Sequence, residues 1–487
     1  MKKTNKGLII LLSAMLLLTI GCTKDFEDIN IDPNQPTISP TSYLLTNAQR
    51  SIMDDMWDEW WNGRFGLQYS QYWSQVVYTE ESRYQPRLNV TNSYWGYLYR
   101  DMMDLQNIID INTNDDTKGD AQAYGSNDNQ IAVARILKAF TFHFMTDTWG
   151  DIPYTEALMG SENIAPAYTL QEDIYADLLK ELTEAQAQID VTANGVEGDV
   201  IYNGDMTKWK KFANSLRMRI ALRTSKVDVN YMTKVQAAIT AGAFDSPGDD
   251  AYFTFDGASP SYNPLYEAFF VDNRHDFAVS QVMINTLVAL DDPRLTLYAD
   301  MPVDTSQYHN AYHGMPYGMD GPSATSYSGA SGDYVSLPAA NTVLAANAKA
   351  CLMNYAEVCF IKSEIAGFDQ TEYENGITAS MTAWGVVAGD ITTYLLTVPV
   401  ADAENVLTQK WLGNYMQGLQ GWYEWRRTGY PVLAGPVDGA LDDTGNRDIA
   451  SRRPYPTDEQ TLNEASYKAA VASQGADLIK TRVWWDQ

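Results

Sequence analysis

Apolar residues recur along this chain at steps of three and four, and that spacing makes helices its main building block. Ile174, Leu178, Leu182, Ala185 and Ile189 form one stripe, with Thr169 and Glu172 as a capping box at its start. Val133, Ile136, Leu137, Phe140 and Phe144 form another, ended by the turn Gly150, Asp151, Ile152, Pro153. Trp209, Phe212, Ala213, Leu216 and Ile220 mark a third; Tyr373, Ile377, Met381 and Trp384 a fourth; Leu407, Trp411, Tyr415, Leu419 and Trp422 a fifth. Each has one apolar side, so helices must pack mainly on helices, and the expected fold class is mainly α. Strand-like alternation is scarce and short.

The segments between the stripes are long. Val77 to Tyr94, Ala241 to Phe277 and Leu297 to Leu337 read as irregular, and the last carries Tyr298, Tyr308, Tyr312, Tyr317, Tyr327 and Tyr334 among glycines. Loops of that length in a folded body are usually functional or disordered, and tyrosine suits binding because it joins an apolar face to a polar tip. The whole chain has 13 tryptophans and 31 tyrosines against 14 phenylalanines, a bias toward wet interfaces over dry cores. For residues on helical stripes, such as Trp209 and Trp411, core packing is the plainer reading.

The N-terminus is a secretion leader. Lys2, Lys3 and Lys6 precede the apolar run Leu8 to Leu18, and Gly21 precedes Cys22, so residues 1–21 are expected to be removed and Cys22 to carry lipid. The alternative is a plain secretory signal ending beside a cysteine. The eleven-residue apolar run is too short to span a membrane. Residues 22–40 are polar, with Pro33, Pro36 and Pro40, and read as a tether onto a body at 41–487.

Charge narrows the partners. Lys and Arg number 34 against 62 Asp and Glu, a net charge of −28, and three of the lysines leave with the leader. Nucleic acid and anionic lipid are poor partners for such a surface, whereas neutral or cationic ligands remain open. Cys351 and Cys359 lie in CLMNYAEVCFIKSEIA, which reads as one helix; eight residues of rise place them about 12 Å apart, too far for a disulfide. Both read as small buried apolar side chains.

Enzyme motifs are missing from the sequence. His309 and His313 are four apart, but HNAYH lacks the glutamate of a zinc-hydrolase helix, and His143 sits on an apolar helical face as a core histidine would. No phosphate loop or nucleophile elbow occurs. No cofactor is indicated; calcium stays open, because irregular acidic loops can supply oxygen ligands without an EF-hand pattern.

Several blocks carry a family likeness: IDPNQPT, ARILKAFTFHFMTDTWGDIPYTEAL from Ala134, WKKFANSLRMRIALR from Trp209, ALDDPRL from Ala289, MNYAEVCFIKSEIA from Met353, WYEWRRTGYPVL from Trp422, and the ending RRPYPTDEQ to RVWWD. In this order they resemble the SusD/RagB family of nutrient-binding surface lipoproteins. The resemblance implies a nearly all-helical body of degenerate tetratricopeptide-type pairs, anchored in the outer membrane and capping a SusC-like TonB-dependent transporter. It also implies capture of an oligosaccharide, or in some members a peptide, without catalysis. Lys24, Asp25, Glu27 and Asp28 are similar to the family's surface-export signals. A surface hydrolase or adhesin is the reading from outside the family. Trp149, Gly150 and Asp151, with Arg426 and Arg427, read as turn-making and helix-pairing groups.

The expected mechanism stacks aromatic planes on the C–H faces of sugar rings and bonds the hydroxyls with amide or charged groups. The candidate ligand-binding residues are Trp73, Tyr78 and Tyr84 around the first loop, Tyr308, Tyr312 and Tyr317 in the long one, and Asn273 and Arg274 as hydroxyl partners. YHGMPYG is similar to a recurrent family turn, so a structural role for Tyr312 is the competing reading.

Overall fold

The computed structural model describes residues 39–308, 311–445 and 448–487. The leader 1–21, Cys22, all of the stretch 22–40 except its last two residues, and His309 lie outside the described residues. Residues Thr41–Gln487 form one unit dominated by helices.

Six long helices follow one another along the first half: α1 (Thr41–Trp57), α2 (Leu88–Thr113), α3 (Asn127–Trp149), α4 (Gln171–Gln188), α5 (Met206–Arg223) and α6 (Tyr231–Thr240), each packed on the next. The stripes read from the sequence face this interior: Ile174, Leu178, Leu182, Trp209, Phe212 and Leu216 are fully buried. Each such side chain contributes about 1.5–3 kcal/mol of transfer free energy. Local chemistry sets the ends. Asp205 accepts from the Thr207 and Lys208 amides at 3.0 and 3.2 Å to start α5, and Ser126 accepts from Asn129 to start α3.

Gly150 ends α3 at φ +88°, and a Cβ there would lie 1.6 Å from Gln474 Oε1, so only glycine fits the turn. The capping box expected for α4 is absent. Thr169 instead lies in strand β3 (Tyr168–Thr169), paired with β2 (Ile152–Pro153), and Asp151 accepts from the Gln171 amide at 2.7 Å in its place. The cap comes from 20 residues away, because the chain needed Thr169 for the ladder.

The second half holds α7 (Gln281–Ala289), α8 (Gly321–Ser328), α9 (Tyr355–Ile365), α10 (Gln370–Ala383), α11 (Ala388–Leu395), α12 (Ala403–Gly413), α13 (Gly418–Thr428) and α14 (Glu464–Gln474). Helices α9, α10 and α12 pack mutually around a separate apolar cluster that includes Phe360, Ile377 and Val406. Three two-stranded antiparallel pairs complete the body: β1 (Trp73–Gln75) with β5 (Phe277–Val279), β2 with β3, and β4 (Ala251–Thr254) with β6 (Lys349–Met353).

Five further expectations are corrected. CLMNYAEVCFIKSEIA is strand then helix: Cys351 lies half-buried in β6, and Asn354 starts α9 by accepting from the Glu357 amide. Cys359 is buried as expected. The stripe from Leu407 to Trp422 is two helices, broken at Asn414–Gln417 where Met416 takes φ +72°. All five of its residues are nevertheless buried. The segment Val77 to Tyr94 becomes helical at Leu88, and the tyrosine-rich segment holds α8. Ala241 to Phe277 contains β4 and a short helical stretch from Pro264 to Val271.

Buried arginines lock the helices together. Arg219 forks onto Glu357 at 2.9 and 2.6 Å, Arg427 onto Glu364 at 2.6 and 2.7 Å, and Arg223 reaches Glu424 at 2.6 Å and Asp147 at 3.2 Å. Burial alone would raise the Glu424 carboxyl, but Arg427, Lys410 and Arg223 outweigh it and hold it well below the usual range. Arg426 donates to the Asp147 and Ser451 carbonyls, so the helix-pairing role expected of Arg426 and Arg427 is observed. His143 is a core histidine, fully buried with Nε2 3.1 Å from Asp147.

Candidate functional site

Asp58 accepts from the Trp60 and Trp61 amides at 2.9 and 2.7 Å and starts a wide π-helical turn, Glu59–Gly66, right after α1. The turn drives Trp61 and Phe65 into the core and leaves Trp60 half-buried at the surface. Gly66 meets Gly418 of α13 so closely that a Cβ on Gly418 would sit 2.4 Å from the Gly66 carbonyl carbon, which pins the turn to the body.

Three guanidinium groups gather on Trp60: Arg64, Arg274 and Arg87, at 4.8, 5.2 and 5.8 Å from the ring centroid. Arg64 and Arg87 also lie 5.8 and 5.9 Å from the Tyr78 ring. Carboxylates fix these cations from behind. Asp276 binds both Arg64 and Arg274, the latter at 2.7 Å, and Glu81 binds Arg87 at 2.5 Å and Gln75 at 2.7 Å, with Arg64 at 3.8 Å. Each cation–π contact is worth about 0.5–2 kcal/mol according to its desolvation, so the rings are held in place before any ligand arrives.

Tyr78 is 57% exposed on left-handed backbone, φ +54°, and Asn273 is exposed at φ +53°. The β1–β5 ladder explains why they meet. Its register pairs Gln75 with Phe277, the Val76 amide donates to the Asp276 carbonyl at 2.9 Å, and the two strand ends carry Tyr78 and Asn273–Arg274 to one edge. Of the residues expected from the sequence, Tyr78 and Arg274 are thus assembled around Trp60 with Asn273 next to Arg274.

Beside this surface opens a cavity of about 320 Å³ whose walls include Trp60, Tyr262 and the acids Asp54, Asp58, Glu59 and Glu267. Burial raises the Glu59 carboxyl, opposed by Arg274 and Arg64. Asp55, also in the wall, is pushed up to about 9 by burial and by its hydrogen bond and charge repulsion with Asp101. Tyr262, Tyr266 and Phe270 continue the aromatic surface, with successive ring centroids 5.0 and 5.2 Å apart.

A second aromatic group forms in the tyrosine-rich segment. Tyr308 stacks on His313 with centroids 3.6 Å apart, and Tyr327 hydrogen-bonds the His313 ring. Tyr308 and Tyr327 are half-buried. Tyr312 is half-buried against the main core, in keeping with the structural reading of its turn.

Trp73, Tyr84 and Tyr317 are corrected to core residues. Trp73 and Tyr84 are 0% exposed and Tyr317 6%, so none offers a face to a ligand. Trp73 lies in the ladder and donates to the Tyr415 hydroxyl at 2.9 Å, while Tyr84 packs against Tyr69 and Tyr317. Trp60, Arg64 and Arg87 are missing from the sequence reading, although the run EWWNGRFG shows two adjacent tryptophans that no single helical face could bury together. Among the described residues no three His, Cys, Asp or Glu side chains converge as a metal set, and no helix is long and apolar enough to cross a membrane.

The geometry can be set beside known proteins. The family described as "Starch-binding associating with outer membrane", SusD-like, matches residues 33–456. No curated protein matches the chain. Among solved structures, a chitin-binding protein superposes with a TM-score of 0.79 at 25% identity, over 92% of this chain and 99% of its own. A chitin-binding SusD homologue from Flavobacterium johnsoniae shares the fold at 23% identity, with a TM-score of 0.75 over 91% and 98% of the two chains. A SusD homologue from Bacteroides uniformis shares it at 22% identity, with a TM-score of 0.78 over 92% and 99%. From its helical body and from a match over most of its length, the chain belongs to the SusD-like family.

Proposed function

We propose that this protein is a non-catalytic receptor that captures an oligosaccharide at the surface built by Trp60, Tyr78, Asn273 and Arg274, and hands it to a SusC-like TonB-dependent transporter in the outer membrane. The observation that carries the reading is the exposed Tyr78 ring, held beside Trp60 by fixed guanidinium groups at an edge that also presents Asn273 and Arg274. Aromatic planes suit the C–H faces of a pyranose, and an amide and a guanidinium suit its hydroxyls. The overall net charge of −28 disfavours anionic sugars and leaves neutral or cationic ones.

A shallow surface of this kind binds in the range of about −8 to −4 kcal/mol, micromolar to millimolar, which lets the ligand be passed on. Lipid on Cys22 would keep the receptor beside its transporter. Calorimetric titration against starch, chitin and other neutral oligosaccharides tests the reading: binding by the wild type and its loss in Trp60→Ala/Tyr78→Ala support it. A wild type that binds peptides and no glycan, or that hydrolyses the glycan, refutes it.

A further inference from the structure

The break between α12 and α13 opens onto a cavity of about 240 Å³ whose walls do not include Trp60, Tyr78 or Arg274. Its aromatic walls are Trp57, Trp384, Tyr252 and Tyr415. Trp384, at the C-terminus of α10, is held edge-on to Tyr298 at 4.7 Å and against Tyr415 at 5.8 Å, so its indole is fixed before any ligand enters. Among the described residues of the lining, Lys349 is the one ionised side chain, and its ammonium rests 5.6 Å from the Tyr252 ring centroid. This cavity therefore lacks the acidic wall of the one beside Trp60.

Gln417 supplies the second observation. Because the helix is broken at Met416, this side chain turns inward at the start of α13, where it is only 5% exposed, and its Oε1 receives no hydrogen bond from the described residues. It also lines a void of about 20 Å³ behind the cavity, shared with Trp57 and Cys351. Oε1 has no surface within reach of a water-sized group, so the polar tip that Gln417 offers a ligand in the cavity is its Nε2, which has no partner among the described residues. The volume falls below the range of about 300–1,000 Å³ that drug-sized ligands occupy and suits a single ring.

We propose that this cavity is a second carbohydrate subsite that takes one neutral pyranose unit, its C–H face against an indole and one hydroxyl accepting from Gln417 Nε2. The class of ligand rests on the carbohydrate reading of the Trp60–Tyr78 surface; the cavity and its unpaired amide do not.

Methyl α-glucopyranoside and methyl N-acetyl-β-glucosaminide are the probes, followed by saturation-transfer NMR and calorimetry on the whole protein. The expected result is saturable millimolar binding of at least one glycoside, kept in Trp60→Ala/Tyr78→Ala and weakened about tenfold or more in Ala348→Trp, which fills the cavity, and in Gln417→Leu. Gln417→Leu removes an unpaired buried acceptor and so leaves the urea midpoint unchanged or raises it, which keeps the test valid if Ala348→Trp fails to fold. Binding of neither glycoside, meaning a cavity that holds water only, overturns the proposal. So does binding that survives both cavity variants and disappears with the Trp60 and Tyr78 rings. Failure of the capture reading shows separately, as absence of oligosaccharide binding by the wild type.

Discussion

Tyr78→Ala should remove affinity and spare stability, whereas Trp73→Ala should do the reverse. The Tyr78 ring is 57% exposed, so its loss uncovers little core, and alanine keeps the same left-handed backbone at φ +54°. Alanine forfeits the cation–π attraction of the ring to Arg64 and Arg87, which puts the stability change at about 1 kcal/mol or less. A sugar face laid on the ring would cover roughly 60 Å², and at about 25 cal/mol per Å² that is ~1.5 kcal/mol, or close to tenfold in Kd. Trp73 is fully buried and donates to Tyr415 at 2.9 Å, so its truncation should cost about 3–5 kcal/mol. Urea denaturation and calorimetric titration with the oligosaccharide that binds the wild type measure both quantities on the same samples. A folded Tyr78→Ala whose Kd stays within about twofold of the wild type refutes the reasoning.

Three further outcomes are expected. Glu357→Ala strands the buried Arg219 guanidinium, which now makes 2.9 and 2.6 Å bonds to that carboxylate, and should lower unfolding free energy by about 3–5 kcal/mol in urea titrations. Asp55 holds a proton in the native state up to a pKa of about 9, whereas an unfolded aspartate loses it near pH 4; its contribution is therefore full below that pH and is lost as pH rises toward 9, and Asp55→Asn should flatten the decline in stability over that window. Gly150→Ala should cost about 2 kcal/mol and lower the melting temperature, and adding Gln474→Ala should restore only part, because the clash is relieved while the φ +88° backbone is not.

The helices that repeat an apolar residue every three or four positions were legible in the sequence, and α3, α4 and α5 emerge with their stripes buried. The break at Asn414–Gln417 was hidden because Trp411 and Leu419 are buried on both sides of it and Tyr415 within it, so the apolar period runs on while the backbone does not. β6 was hidden because its apolar stretch is short and runs straight into the Asn354 cap of α9. The cap of α4 was illegible for another reason: Asp151 reaches Gln171 across a turn that only the β2–β3 pairing creates. At the candidate site, residue type pointed to aromatic recognition but could not sort the rings. Trp73 and Tyr78 are five positions apart, one inside the ladder and one beyond its end, and that difference in exposure comes from tertiary packing alone.

The anchoring of Arg64, Arg87 and Arg274 by Asp276 and Glu81 has a consequence for how such a receptor can change its diet. The carboxylates that make the edge rigid, Asp276 and Glu81, are interior charges, while the ring at position 78 and the amide at position 273 project from it. Under the proposed capture role, exchanging either outward group would alter the menu without reopening the scaffold, so new tastes would be open to this lineage one codon at a time.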